Sequence, residues 1–138
     1  MSIQTIFRNI SKNQYKVSSF LLPKKISTKS IINTEIGNLQ IYQENDTAII
    51  NSHQIIPEFR NNGYGANLLT NSEQFISNQM NLNKIQLNLW CNDRCYFNYY
   101  NYYSKIGYTD YKGDQISYMD TGCEIKYLLS MEKDIIKI

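Results

Sequence analysis

Apolar positions recur at two different spacings along the chain, and the spacing separates strands from helices. Ile3, Thr5 and Phe7 alternate with Gln4 and Ile6, which predicts a first strand over residues 2–8. Residues 14–22 fit two patterns. Val17, Phe20 and Leu21 suit a short helix, whereas Tyr15, Val17, Ser19 and Leu21 suit a strand; the helix is favoured, and Pro23 stops either one. Residues 30–36 and 39–43 read as two strands about a Gly37-Asn38 turn, and Glu44-Asn45-Asp46 makes the next turn. Residues 47–56 then form a third strand of a meander.

The period changes after Ile56. Leu68, Leu69, Phe75, Ile76 and Met80 lie on one stripe at helical spacing, predicting a helix over residues 63–80 with Asn61 or Asn62 as cap. Ile85, Leu87 and Leu89 alternate with Gln86, Asn88 and Trp90, a strand over 84–90. Asn92-Asp93 opens a tyrosine-rich helix that runs to Lys105 and closes at Gly107. A short strand at 108–111, a turn at 112–114, an irregular or weakly extended stretch at 115–120, a turn at Thr121-Gly122 and a final strand over 124–131 complete the chain. The tail from Glu132 is expected to fray. There is neither a repeat nor a linker, so the whole span 1–138 is expected to form a single α/β domain.

Composition narrows the function. The 138 residues carry a formal charge of only +2, with Lys and Arg scattered apart from Lys24-Lys25, which argues against nucleic acid as a partner. No apolar run suits a membrane span and no signal peptide is visible, so a cytoplasmic location is expected. Cys91, Cys95 and Cys123 are odd in number and His53 is the single histidine, so free thiols and no metal site are expected.

The junction between the third meander strand and the first long helix carries the candidate chemistry. A strand that turns through Gly63 and Gly65 into a helix start aims bare N–H groups and the positive end of the helix dipole at one place, which suits phosphate. Arg60 adds a positive charge beside it. A Walker loop is excluded because Ala66-Asn67 stands where Lys and Ser or Thr are needed. A dinucleotide fold is disfavoured because the next strand offers Gln86 and Asn88 instead of an acid. Before the turn, Asn51, Ser52, His53 and Gln54 interrupt an otherwise apolar strand, as a strand lining a cleft would.

The segment Ile55-Ile56-Pro57-Glu58-Phe59-Arg60-Asn61-Asn62-Gly63-Tyr64-Gly65-Ala66-Asn67-Leu68-Leu69 resembles the glycine-turn motif of the GNAT superfamily of acyl-CoA-dependent N-acyltransferases. Tyr102-Tyr103-Ser104-Lys105-Ile106-Gly107-Tyr108 resembles the same family's late aromatic motif, in the right order along the chain. The resemblance implies a GNAT-like mixed α+β fold. It has a central twisted mixed sheet of six to seven strands with splayed middle strands, flanked by about three to four helices. It further implies acetyl-CoA as co-substrate and transfer of its acetyl group to a primary amine, on a protein, a peptide or a small molecule, by direct attack in a ternary complex. The alternative is a catalytically inactive acyl-CoA-binding or sensor domain. The acceptor is of unknown identity, and the protein is expected to be a monomer or homodimer.

By the same resemblance, the pantetheine arm pairs with His53, Gln54 and Ile55, the pyrophosphate sits on the loop Arg60, Asn61, Asn62, Gly63, Tyr64, Gly65 and Ala66, and Asn92 joins the cofactor site. The family's acid tyrosine maps to Tyr103 when counted back from Gly107 and to Tyr99 when counted forward from Asn92. The two are one turn apart on a shared helix face, and Tyr103 is favoured because the glycine end fixes the helix against the last strands. The family's usual glutamate base is missing. His53, expected by alternation to share a face with Asn51 and Ile55, is a candidate base, with a water chain as the default. The family's two helices after the first strand are also missing, since residues 9–29 leave room for one at most. A shallow acceptor site suited to a protein or peptide amine would follow.

Overall fold

The computed structural model describes residues 2–22, 34–112, 118–123 and 125–135. The chain runs β1 (Ser2–Ser11), β2 (Gln14–Leu22), β3 (Thr34–Glu44), β4 (Thr47–Ile55), a single 3-10 turn at Pro57–Phe59, α1 (Tyr64–Asn78), β5 (Lys84–Cys91), α2 (Asp93–Lys105), β6 (Thr109–Asp110), β7 (Tyr118–Asp120) and β8 (Ile125–Asp134). The strands make one eight-stranded sheet in the order β1-β2-β3-β4-β5-β8-β6, with β7 also on β8. All neighbours are antiparallel except β4 and β5, which are parallel because α1 crosses between them.

The expected mixed, twisted-sheet architecture is present, with differences in detail. Residues 14–22 are a strand: β2 is held by β1 on one side and β3 on the other, and this pairing overrides the local helical spacing. The described residues therefore hold two α-helices and a 3-10 turn, fewer than the three to four helices expected, and one strand more than the six to seven. Gly37-Asn38 is no turn but the middle of β3. A Cβ at Gly37 would lie 2.3 Å from Ile55 Cδ1 and 2.7 Å from Gln54 O, so the glycine is there to let β4 come close. The end of β8 is also ordered, since Glu132, Lys133 and Asp134 pair with β5. Pro23, Lys24-Lys25, residues 30–33, 113–117 and 124, and the last three positions of the tail lie outside the described residues.

Both helices lie on one face of the sheet. Leu68, Leu69 and Ile76 of α1 share a buried cluster with Leu39, Ile41, Ile50, Leu87, Leu129 and Tyr103. Phe75 stacks on Phe7 with ring centres 4.4 Å apart, fixing α1 over the β1–β2 side. At the other side Glu73 accepts hydrogen bonds from Tyr108 Oη at 2.7 Å and from Lys133 Nζ at 3.1 Å, and Lys133 also donates to Ile106 O at 2.9 Å. This pins α1 to β8 and to the end of α2, and so sets the spacing of the two helices above the middle of the sheet. None of the described helices is long and apolar enough to cross a membrane.

Candidate functional site

β4 and β5 pair only from Ala48↔Ile85 to Asn51↔Asn88. Beyond that point they part, although β4 continues to Ile55 and β5 to Cys91. The cause is local. Ser52 has φ +57°, and the register between β3 and β4 slips there, so β4 carries one extra residue opposite β3. Such a bulge bends its strand and raises the twist, which carries the end of β4 away from β5 while β3 follows it.

The bulge also corrects an expectation about His53. Strict alternation would put His53 on the face of Asn51; the extra residue instead returns His53 to the helix face, the face of Ile50. There its Nε2 lies 3.1 Å from Gly65 O and its Nδ1 2.5 Å from Tyr103 Oη. A carbonyl oxygen only accepts, so Nε2 carries the proton and Nδ1 accepts from the tyrosine hydroxyl. Burial pushes the imidazole pKa down to about 4, against the opposing effect of the Gly65 bond. His53 is thus a neutral link between α1 and α2, with both nitrogens occupied.

Tyr103 is 4% exposed. Burial first, then the neighbouring Tyr102 and Tyr99, raises its pKa well above the usual phenol range, so it holds its proton at neutral pH. Tyr99, one turn earlier, is 39% exposed and lines the same cleft. The cleft has a volume of about 990 Å³. Its walls are Asn51 through Ile55 of β4, Asn88, Leu89 and Trp90 of β5, the turn with Arg60, Asn61, Gly63, Tyr64, Gly65 and Ala66, and Asn98, Tyr99, Tyr102 and Tyr103 of α2.

At the turn, Asn61 and Gly63 both have left-handed backbone, with φ +67° and +79°. Gly63 is the N-cap residue of α1 and no side chain caps the helix, which corrects the assignment of Asn61 or Asn62 as cap. The first helical bond is Asn67 N to Gly63 O, and among the described residues no amide from 61 to 66 donates to a backbone carbonyl. A run of free N–H groups at a helix start, beside Arg60, fits an anionic diphosphate. Arg60 is also a brace, its Nε donating to Ile55 O at 2.9 Å.

Of the predicted site residues, the cleft gathers His53, Gln54, Ile55, Arg60, Asn61, Gly63, Tyr64, Gly65, Ala66, Tyr99 and Tyr103. Asn62 and Asn92 stand outside its wall. Asn62 Nδ2 donates to Phe59 O and Arg60 O, shaping the turn from within, and Asn92 Oδ1 accepts from Cys95 N as the cap of α2. Sequence reasoning did not single out Tyr102, whose hydroxyl lies 3.4 Å from where a Cβ at Gly65 would stand. Only its i−1 position to Tyr103 in a tyrosine-rich helix hinted at it.

A parallel strand pair that parts beside a free-amide helix start defines the class: the chain has the fold of the GNAT N-acetyltransferases. No family model and no curated protein matches the sequence. Among solved structures, it is similar to a GNAT family acetyltransferase from Elizabethkingia anophelis with acetyl-CoA bound, with TM-score 0.63 and 13% identity, covering 96% of this chain and 98% of that one. It is similar to a PaiA N-acetyltransferase from Thermoplasma acidophilum in complex with coenzyme A, with TM-score 0.58 and 14% identity, covering 88% of this chain and 61% of that one. It is also similar to a spermidine/spermine N-acetyltransferase from Vibrio cholerae in complex with manganese ions, with TM-score 0.64, 15% identity and coverage of 91% and 67%. At these identities the likeness establishes the fold.

Proposed function

We propose that the chain is one N-acetyltransferase domain that transfers an acetyl group from acetyl-CoA to a primary amine in a ternary complex. The observation that carries this reading is the end of β4–β5 pairing at Asn51 and Asn88, which opens a cleft leading to the free amides of residues 61–66. Those amides and Arg60 would hold the diphosphate, and the unpaired edge of β4 from His53 to Ile55 would hold the pantetheine amides. Acetyl-CoA, when bound, supplies the acetyl group as a thioester.

The chain's own residues would then act as follows. A donor at the parted edge of β4 would stabilise charge on the carbonyl oxygen. Tyr103, whose O–H rests on His53 Nδ1, would turn that O–H to the departing thiolate sulfur and donate its proton there, and the phenolate would regain a proton through water from the one the amine releases. His53 holds the Tyr103 hydroxyl in place but is a poor base, because both its nitrogens are engaged and its pKa is low. The proton of the attacking amine would leave through water.

The second reading, a non-catalytic acyl-CoA binder, draws support from the absence of any Asp or Glu among the described residues lining the cleft. One experiment separates the two. Purified protein is tested for thermal stabilisation by coenzyme A and for thiol release from acetyl-CoA with a panel of peptides, polyamines and aminoglycosides. Stabilisation with release supports the enzyme, stabilisation without release across the panel supports the binder, and no stabilisation removes both.

A further inference from the structure

We infer that His53 is a positioning residue through which the diphosphate half of the cofactor sets the Tyr103 hydroxyl, so that filling one end of the cleft readies the other. This rests on the acetyltransferase reading. The first turn of α1 is the part built to take two states. Its N-cap is Gly63, no side chain caps it, and the chain enters it through left-handed backbone at Asn61 and Gly63. Tyr64, Gly65 and Ala66 are half-buried, Asn67 is exposed, and the first buried side chain of the helix is Leu68. Gly65, the second helical residue, weakens the turn further, because a glycine loses the most backbone freedom when it is ordered. A helix start with open N–H groups, no cap and no buried anchor frays readily, and an anion seated on those groups is the cap it lacks.

Gly65 O, inside that turn, accepts from His53 Nε2 at 3.1 Å, and His53 Nδ1 accepts from Tyr103 Oη at 2.5 Å. The far side does not give in the same way, since the Tyr103 ring is packed in the core cluster with Leu89 and Tyr108. The Gly65 carbonyl therefore decides where the ring proton of His53 sits. With that carbonyl in place the proton is on Nε2, and Nδ1 offers its lone pair to the tyrosine. When the turn frays, Nε2–H loses its acceptor, the ring is free to carry its proton on Nδ1 instead, and the group that accepts from Tyr103 is gone. A diphosphate on the amides of residues 61–66 favours the ordered turn and, with it, the state in which the Tyr103 oxygen is held. The O–H still rotates about the C–O bond towards a departing sulfur. Binding energy from a remote part of the cofactor is thereby realised in the rate of transfer and not in affinity alone.

The test uses the full chain and divides the cofactor into two probes: ADP, which carries a diphosphate, and S-acetylpantetheine, which carries the thioester without one. His53 is the single histidine, so its ring N–H is one signal in a nitrogen-15 NMR spectrum. At pH 7 saturating ADP is expected to slow solvent exchange of the Nε2 hydrogen by about fivefold or more, the lower end of ordinary coupling between sites. Pantetheine is expected to leave that exchange unchanged. In kinetics, ADP should raise kcat for S-acetylpantetheine by about the same factor, with the amine of the panel that turns over fastest. In His53→Ala that activation should shrink to less than about twofold, and His53→Gln, whose amide can donate to Gly65 O and accept from Tyr103, should recover part of it. An Nε2 hydrogen whose exchange ADP leaves within about twofold, or an activation as large in His53→Ala as in wild type, overturns the coupling. With coenzyme A still stabilising the wild type, either result leaves the acetyltransferase reading standing. A wild type that coenzyme A does not stabilise overturns both.

Discussion

The two ends of the central strand pair do opposite work. At the paired end, Ala48, Ile50, Ile85 and Leu87 are fully buried and the backbone groups satisfy one another. At the parted end, the same strands carry His53, Gln54 and Trp90, and their facing edges are left for something else to occupy. Stability is concentrated at the paired end and chemistry at the parted one. The divide is a single residue, Ser52, whose left-handed backbone inserts one extra position into β4. A fold can thus hold a gap open in the middle of a sheet without weakening its core, provided the bend is abrupt.

This contrast can be broken from either end. Tyr103→Phe should slow acetyl transfer by about 10²–10⁴-fold, the usual contribution of a positioned proton donor. Coenzyme A affinity should change little, as a Phe ring fills the same space; Tyr99→Phe should have the smaller effect, and steady-state rates for the two decide between them. Leu87→Ala, at the paired end, should cost about 2–5 kcal/mol of stability by leaving a cavity, measured by urea unfolding. A third prediction concerns pH. The His53 pKa is about 4 in the folded chain against about 6.5 unfolded. Below pH 6.5 the unfolded chain binds a proton that the folded chain refuses. Stability is therefore full above that pH and falls as pH drops through 4, by roughly 3 kcal/mol in all. His53→Gln should flatten that window in unfolding curves recorded across pH. The smallest effect is Gly63→Ala. With φ +79° and open space around the added methyl, only the backbone conformation is penalised, by about 1–2 kcal/mol, together with a weaker response to coenzyme A in thermal shift.

Much of the parted end was legible in the residues. The Pro57-to-Gly65 segment, the helical stripe from Leu68 and the alternation from Ile85 are local signals, and local physics shapes all three. What escaped was non-local. Residues 14–22 carry both periods, and only the neighbours β1 and β3 decide between them. Gly37 looks like a turn until the closeness of Ile55 and Gln54 explains it. Ser52 gives no sign of its bulge, because serine is not a residue that usually announces a left-handed backbone. That one silent position turned His53 to the other face and with it changed a candidate base into a link.

The link has a polarity. Tyr103 gives its hydrogen to the ring and the ring gives its own to Gly65, so the sequence of donors runs one way, from the second helix to the first. Reversing it would set two lone pairs against each other at Gly65. The imidazole therefore works as a strut of fixed length across the opening: the amide cradle on one bank and the tyrosine on the other must shift together or lose their hold.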